Sequence, residues 1–378
     1  MIPGNPVKVI HDSPDFSRIA ELVGKRSVAL ISTEGAEKRG TLDSLRSALK
    51  RSGITLASAS TGVKSNPTIE SIQQNAADLL QTGNPDVLIA VGGGSTLDSA
   101  KGVAAIAASG EDQQWFASHL RNSVPFPDDF TPPRIIAIPT TAGTGSEVTM
   151  WGTVWDEATG AKYSVSHPSL YPEFGLMIPE LTLSADHELT LFTALDALSH
   201  CMESLWSTRS TIQSEDFAMT GMRKILASID SVLEKRSDLS CRRDLQEGAL
   251  FAGYAISFTR TALAHSISYP MTSALGMPHG LACSFTLPAM IRFNAVAAGN
   301  AIAKISAALG TDNAEAAAEE LERRYTTWGV PAYVARFADR RRVTALADRL
   351  LTPGRADNNV RPASSDDALA IVLDSLAA

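Results

Sequence analysis

Four side chains in the second half of the chain have the types and spacing of a metal centre. Asp196 and His200 stand four positions apart inside an Ala/Leu-rich stretch, residues 193–206, and that spacing puts both on one face of a helix. Ala194, Leu195, Ala197 and Leu198 make the surroundings apolar, where a carboxylate needs a partner. His265 and His279 follow, His279 inside Pro278-His279-Gly280. One carboxylate with three imidazoles suits Fe(II), Zn(II) or a similar divalent ion. The four residues span 84 positions, so spacing alone also admits an intrahelical Asp–His hydrogen bond beside two unrelated histidines.

Two loops in the first half suit a phosphate. Gly92-Gly93-Gly94-Ser95-Thr96-Leu97-Asp98-Ser99-Ala100-Lys101 follows an apolar run and opens a helix-like stretch. Glycines let backbone N–H groups approach an anion, and a helix N-terminus adds its positive end. No third glycine completes the dinucleotide fingerprint, and Lys101 lies a turn too far on for a Walker loop. The alternative is a tight strand-to-helix turn. Pro139-Thr140-Thr141-Ala142-Gly143-Thr144-Gly145-Ser146-Glu147 also follows an apolar run, and its hydroxyls suit ribose, phosphate and carboxamide groups. A flexible Ser/Thr loop is the alternative there. Two such loops at the carboxyl ends of parallel strands point to a nucleotide.

Positioning these loops requires strands, and apolar runs predict them at residues 27–31, 54–59, 87–91 and 135–138. Helical patterns alternate with them, as at residues 68–81, which implies an α/β layer with a mainly parallel sheet. Beyond Pro179-Glu180 the pattern changes. Helix-forming stretches at residues 193–206, 215–235, 243–259, 295–309 and 314–328 replace the strands, and a last helix is expected at 368–376 after a polar segment, 354–367. The expected organisation is an α/β nucleotide-binding domain, residues 1–180, followed by an all-α metal-binding domain, residues 181–378.

Composition narrows the class. A length of 378 residues allows roughly two or three domains. With 44% hydrophobic and 20% charged residues, the chain is globular rather than disordered. Lys+Arg is 33 against Asp+Glu 41, a net charge of −8, which argues against nucleic acid as a partner. Neither a membrane-length apolar stretch nor a secretory signal in residues 1–14 is found, so no membrane partner and a cytoplasmic location are expected. Cys201, Cys241 and Cys283 are too few and too scattered for a disulfide framework or a thiolate zinc cluster. His11, His119, His167 and His187 are expected to be surface or structural.

The motifs Gly92-Gly93-Gly94-Ser95-x-x-Asp98-x-x-Lys101, Pro139 to Glu147, Asp196-x-x-x-His200, His265 and Pro278-His279-Gly280 occur in one order. Together they resemble the iron-containing alcohol dehydrogenase family over nearly the whole chain. The resemblance implies the dehydroquinate synthase-like fold of that family, with a metal and a nicotinamide ring in the cleft between two domains. It implies Asp196, His200, His265 and His279 as metal ligands. It implies cofactor contacts at Gly93, Gly94, Ser95, Asp98, Thr140, Thr141, Thr144, Thr149, Thr153, Lys162 and Asn66. Glu34 stands where members often carry Asp. An acidic group there can accept from a ribose hydroxyl and repel a 2′-phosphate, which favours NAD(H) over NADP(H). The metal is expected to polarise a carbonyl or alkoxide oxygen while hydride passes to or from the nicotinamide. The family also suggests a homodimer.

Two positions depart from the family pattern. Many members carry a second histidine four residues after the third ligand; here it is Tyr269. Tyr269 can donate a proton or hydrogen-bond the substrate, although an ordinary phenol, near pKa 10, is a reluctant base; simple packing is the alternative. Arg260 stands five residues before His265 and can pair with a carboxylate or phosphonate, or form a salt bridge between helices. Residues 259–270 look most like the phosphonoacetaldehyde reductase branch of the family. The expected substrate is therefore phosphonoacetaldehyde, reduced to 2-hydroxyethylphosphonate, or a closely similar anionic aldehyde, with Arg260 as the anion clamp. Competing readings are a dehydrogenase for small neutral or carboxylated aldehydes, a dehydroquinate synthase-type enzyme, and a non-catalytic nucleotide-binding protein.

Overall fold

The computed structural model describes residues 2–110 and 112–376. The chain forms two compact units, Met1–Thr141 with Ser146–Ala185, and Ala142–Gly145 with Asp186–Ala378. The second unit thus takes back four residues of the Thr/Gly loop, which a single boundary at residue 180 does not express.

Among the described residues the first unit holds eight strands: β1 (Lys8–His11), β2 (Val28–Ser32), β3 (Leu56–Ser60), β4 (Val87–Gly92), β5 (Arg134–Pro139), β6 (Trp151–Asp156), β7 (Ala161–Ser166) and β8 (Phe174–Met177). Six make one parallel sheet in the order β1-β8-β5-β4-β2-β3. Every residue of β2 and β4 is buried, which is why both read as unbroken apolar runs. Alternate residues serve opposite faces. Ala29, Ile31, Leu88, Ala90, Ile135 and Ala137 meet Ile69, Ile72, Leu97 and Val103 on one face. Leu30, Ile89, Val91, Ile136 and Ile138 meet Ile19, Leu42, Leu45 and Leu49 on the other. Strand order reverses between β2 and β4, the crevice where open parallel sheets bind ligands. The loops after β2, β4 and β5 leave the sheet at that end, since Ser32 pairs with Val91 and Gly92 with Pro139.

The four predicted strands are present. The hairpin of β6 and β7, and the short strands β1 and β8, were not foreseen. β6 and β7 pair antiparallel from Trp151↔Ser166 to Asp156↔Ala161, turning through Gly160 at φ 67°. β7 is largely polar and only half-buried, so it lacks the apolar signature that marked the others. Gly152 lets β6 lie on helix Gly94–Ala108: a Cβ there would come within 2.7 Å of the Asp98 carbonyl.

The second unit is helical. Its longer helices are His187–Leu205, Ile212–Glu234, Leu239–Thr259, Leu263–Leu275, Gly299–Leu309, Ala314–Thr327 and Ser365–Ser375. Asp186 caps the first, accepting from the Leu189 N–H at 2.8 Å, so that helix begins earlier than residue 193. Gly221 and Gly248 allow the next two to pack closely, a Cβ on Gly221 meeting the Gly248 carbonyl at 2.9 Å. Leu195, Leu198, Met202, Ile225, Ile229, Ile267 and Met290 are buried in the shared core; truncating one such Leu to Ala costs about 2–5 kcal/mol. Among the described residues, no helix is long and apolar enough to cross a membrane.

Candidate functional site

Helix His187–Leu205 is almost entirely buried and carries Asp196, His200 and Glu203, whose spacing sets them on one face. Helix Leu263–Leu275 brings His265 against them, and the short helix His279–Ala282 brings His279. Nε2 of His200 and Nε2 of His265 each lie 3.4 Å from Asp196 Oδ1. The His200 and His265 rings stack at 4.8 Å, and the His279 ring meets His265 edge-on at 5.4 Å. All four residues that the sequence nominated as ligands therefore converge.

Glycine makes the last approach possible. A Cβ on Gly280 would sit 2.0 Å from the Phe192 carbonyl and 3.3 Å from Asp196 Cβ. Only glycine lets the segment after Pro278 lie this close to the Asp196 helix.

Two further residues complete the cluster. Glu203 is fully buried and accepts from the His265 backbone N–H at 3.1 Å. Its Oε2 lies 2.5 Å from His265 Nδ1. A carboxylate on the distal nitrogen of a ligating histidine fixes the tautomer and aims the other nitrogen. The signal was present in the sequence, since Glu203 lies three residues after His200 on the same apolar helix. Cys283 follows His279 by one helical turn, and its Sγ lies 3.2 Å from Asp196 Oδ1. Donor atoms of Asp196, His265, His279 and Cys283 all fall within 4.8 Å of one another. Cys201, next to His200, points elsewhere: its Sγ abuts Gly221.

The shifts at Asp196 and His200, which favour a carboxylate and a neutral imidazole, match a cation site. Burial works to raise the Asp196 carboxyl, but His200, His265 and His279 outweigh it and hold it far below the ordinary range. Burial pushes His200 down to about 4, with Asp196 opposing. Burial also works against a charged His265, but Glu203 raises it well above the ordinary value. Burial pushes the Cys283 thiol up to about 12. Nε2 of His265, on a side chain only 3% exposed, has no hydrogen-bond partner. A buried nitrogen left so is costly, and a divalent ion placed among these donors satisfies it. The residues fit such an ion.

The glycine loop after β4 lies at the sheet's switch point in the first unit. Gly93 caps helix Gly94–Ala108 without any side-chain hydrogen bond, leaving first-turn N–H groups for an anion. A Cβ on Gly93 would lie 3.1 Å from Thr141 Oγ1, so glycine keeps a space beside that hydroxyl. The Thr140 N–H donates to the Gly92 carbonyl at 3.0 Å, which ties the two loops together. Asn66, in left-handed backbone at φ 54°, donates its N–H to Ser95 Oγ at 3.2 Å. Glu34 is exposed at the start of helix Glu34–Lys38 and ion-paired with Lys38 at 2.9 Å. These residues form a cradle that fits a dinucleotide.

Asp98, Thr149 and Thr153 belong to a network centred on Lys101. Lys101 is fully buried and donates to Ser146 O at 2.8 Å, Ser146 Oγ at 2.7 Å, Thr149 Oγ1 at 3.1 Å and Trp151 O at 2.8 Å. Asp98 accepts from Ser146 Oγ at 2.5 Å and from the Thr153 N–H at 2.9 Å. Burial lowers Lys101 to about 8, while Asp98 and Glu147 oppose. Lys162 places its ammonium 5.5 Å from the centre of the Trp155 ring. Thr144 belongs to the second unit. Its neighbours hold it there: a Cβ on Gly143 would meet the Thr193 carbonyl at 2.8 Å, and one on Gly145 would meet Gly253 Cα at 2.3 Å.

Arg260 ends helix Leu239–Thr259 at φ 61° and ψ −179°. That region is essentially reserved for glycine and costs other residues about 1–3 kcal/mol. Tyr269 is half-buried one turn after His265, and its hydroxyl accepts from Arg355 Nε at 3.1 Å. Arg355 lies in the segment read as a polar loop, and nothing in its sequence context distinguished it.

A family model for the iron-containing alcohol dehydrogenases matches residues 6–179, and the Fe-containing alcohol dehydrogenase family C-terminal model matches residues 190–376. The chain is similar to phosphonoacetaldehyde reductase of Streptomyces viridochromogenes, 34% identical over 314 residues, 79% of this chain and 78% of that one. It is 27% identical over 367 residues to the NAD-dependent methanol dehydrogenase of Bacillus methanolicus, covering 94% and 93% of the two chains. Among solved structures, an alcohol dehydrogenase from Oenococcus oeni shares the fold with a TM-score of 0.89, 24% identity and 98% coverage of both chains. With both models matched in order along nearly its whole length, the chain belongs to the iron-containing alcohol dehydrogenase family.

Proposed function

We propose that this alcohol dehydrogenase works as a reductase of an anionic aldehyde, phosphonoacetaldehyde or a close analogue, using NAD(H) and a divalent metal. The observation that carries the metal reading is the convergence of buried His200 and His265 on Asp196 Oδ1, with half-buried His279 in the same cluster. When bound, the ion supplies Lewis acidity at the carbonyl oxygen and the nicotinamide supplies the hydride. Glu203 orients His265, and Gly280 seats His279. Gly93, Gly94, Ser95, Thr140 and Thr141 hold the cofactor, Asn66 steadies Ser95, and Lys162 lines the same ligand. Asp98 holds Ser146 and Thr153 in place, and Lys101 holds Thr149. Glu34 favours NAD(H) by repelling a 2′-phosphate. Tyr269, with Arg355 on its hydroxyl, is the proposed hydrogen-bond donor to substrate oxygen.

Substrate charge rests on Arg260. A non-glycine residue kept in glycine-only backbone is strain that function can explain, and the relative of 34% identity acts on a phosphonate aldehyde by its name. Steady-state kinetics of Arg260→Ala test this. The expected result is a loss of kcat/KM of about tenfold or more for phosphonoacetaldehyde with little change for propanal. Equal losses on both, or none, would sink the clamp. A homodimer in the cytoplasm is proposed on the family likeness, and light scattering checks the dimer.

A further inference from the structure

The metal cluster contains a donor outside the three-histidine, one-carboxylate set. Cys283 is fully buried, and its Sγ lies 3.2 Å from Asp196 Oδ1. The same oxygen lies 3.4 Å from the partnerless Nε2 of His265. Donors on one ion, each about 2.0–2.3 Å from it, stand roughly 3–4.5 Å apart. The observed separations match the edges of one coordination polyhedron. Cys283 also follows His279 by a single turn of chain, so whatever seats His279 seats the sulfur. We propose that Cys283 is a further metal donor, a thiolate that shifts the site's preference from iron towards zinc.

This rests on the metal reading above. As the sulfur–metal bond forms, the S–H bond breaks heterolytically and its proton leaves to water; no electron changes hands. A thiol that coordinates a divalent cation is deprotonated outright, and soft sulfur favours zinc over harder ions.

Cobalt(II) replacement separates the two ideas. Purified full-length protein is stripped of metal and loaded with cobalt(II). Visible d–d bands report any bound ion, and a near-ultraviolet sulfur-to-cobalt charge-transfer band reports the thiolate. Wild type is expected to show both, while Cys283→Ser and Cys283→Ala keep the visible bands and lose the near-ultraviolet one. In metal uptake from an equimolar zinc and iron(II) mixture, both variants are expected to take several-fold less zinc relative to iron. Visible bands without the charge-transfer band in wild type, or a band that survives in Cys283→Ser, overturn the proposal and leave the four-ligand centre standing. Absence of visible bands in wild type overturns both. An unchanged zinc-to-iron ratio overturns the selection role.

Discussion

Glu203 Oε2 lies 2.5 Å from His265 Nδ1, and both side chains are buried. The contact commits His265 to presenting Nε2 towards Asp196. Replacing Glu203 with Gln keeps the size but loses the charge. Such distal partners are worth about 10–100-fold in metal affinity, and a loss of that size is expected for Glu203→Gln in chelator competition. Unchanged affinity would show that the contact serves folding alone.

Gly280 has no room for a side chain. A Cβ would sit 2.0 Å from the Phe192 carbonyl, which is backbone and cannot swing away. Gly280→Ala is expected to displace His279 and to leave the protein with less than a tenth of wild-type metal, measured by elemental analysis. Gly299→Ala, where a Cβ meets nothing within 4 Å, is the matched control and should keep its metal.

Arg260 offers a separation of stability from function. Glycine at φ 61° removes the strain that alanine retains. Arg260→Gly and Arg260→Ala should therefore lose phosphonoacetaldehyde turnover alike, while the glycine variant is more stable by about 1 kcal/mol in urea unfolding. Equal stability of the two would mean the backbone relaxes.

Burial pushes Glu147 from its ordinary 4.5 up to about 7. The folded state then binds more protons than the unfolded chain between those values, so stability falls as pH rises through that window. Glu147→Gln has no such group. Relative to it, wild type should lose on the order of 1–3 kcal/mol between pH 5 and pH 8. Urea midpoints at the two pH values decide, and parallel changes in both proteins would contradict the linkage.

The parallel core was legible because β2 and β4 are buried on both faces and so must be apolar throughout. Asp196 and His200 were legible because a helix writes its face into four-residue spacing. The β6–β7 hairpin was not, because its exposed face is polar and its burial comes from Gly152 lying on a helix distant in sequence. Cys283 and Arg355 were invisible for the same reason. Their chemistry depends on Asp196 and Tyr269, each 86 or more positions away, and no local pattern records such a meeting. Lys101 showed its motif spacing but not its burial, which makes it a clamp on the Ser146–Trp151 segment.

The most direct measurement is NADH consumption by metal-stripped protein reloaded with Fe(II) or Zn(II), using phosphonoacetaldehyde and propanal in parallel. The expected result is turnover that requires metal, with kcat/KM for phosphonoacetaldehyde at least about tenfold higher. Turnover that survives metal removal, or equal efficiency on both aldehydes, would contradict a metal-dependent reductase selective for an anionic substrate.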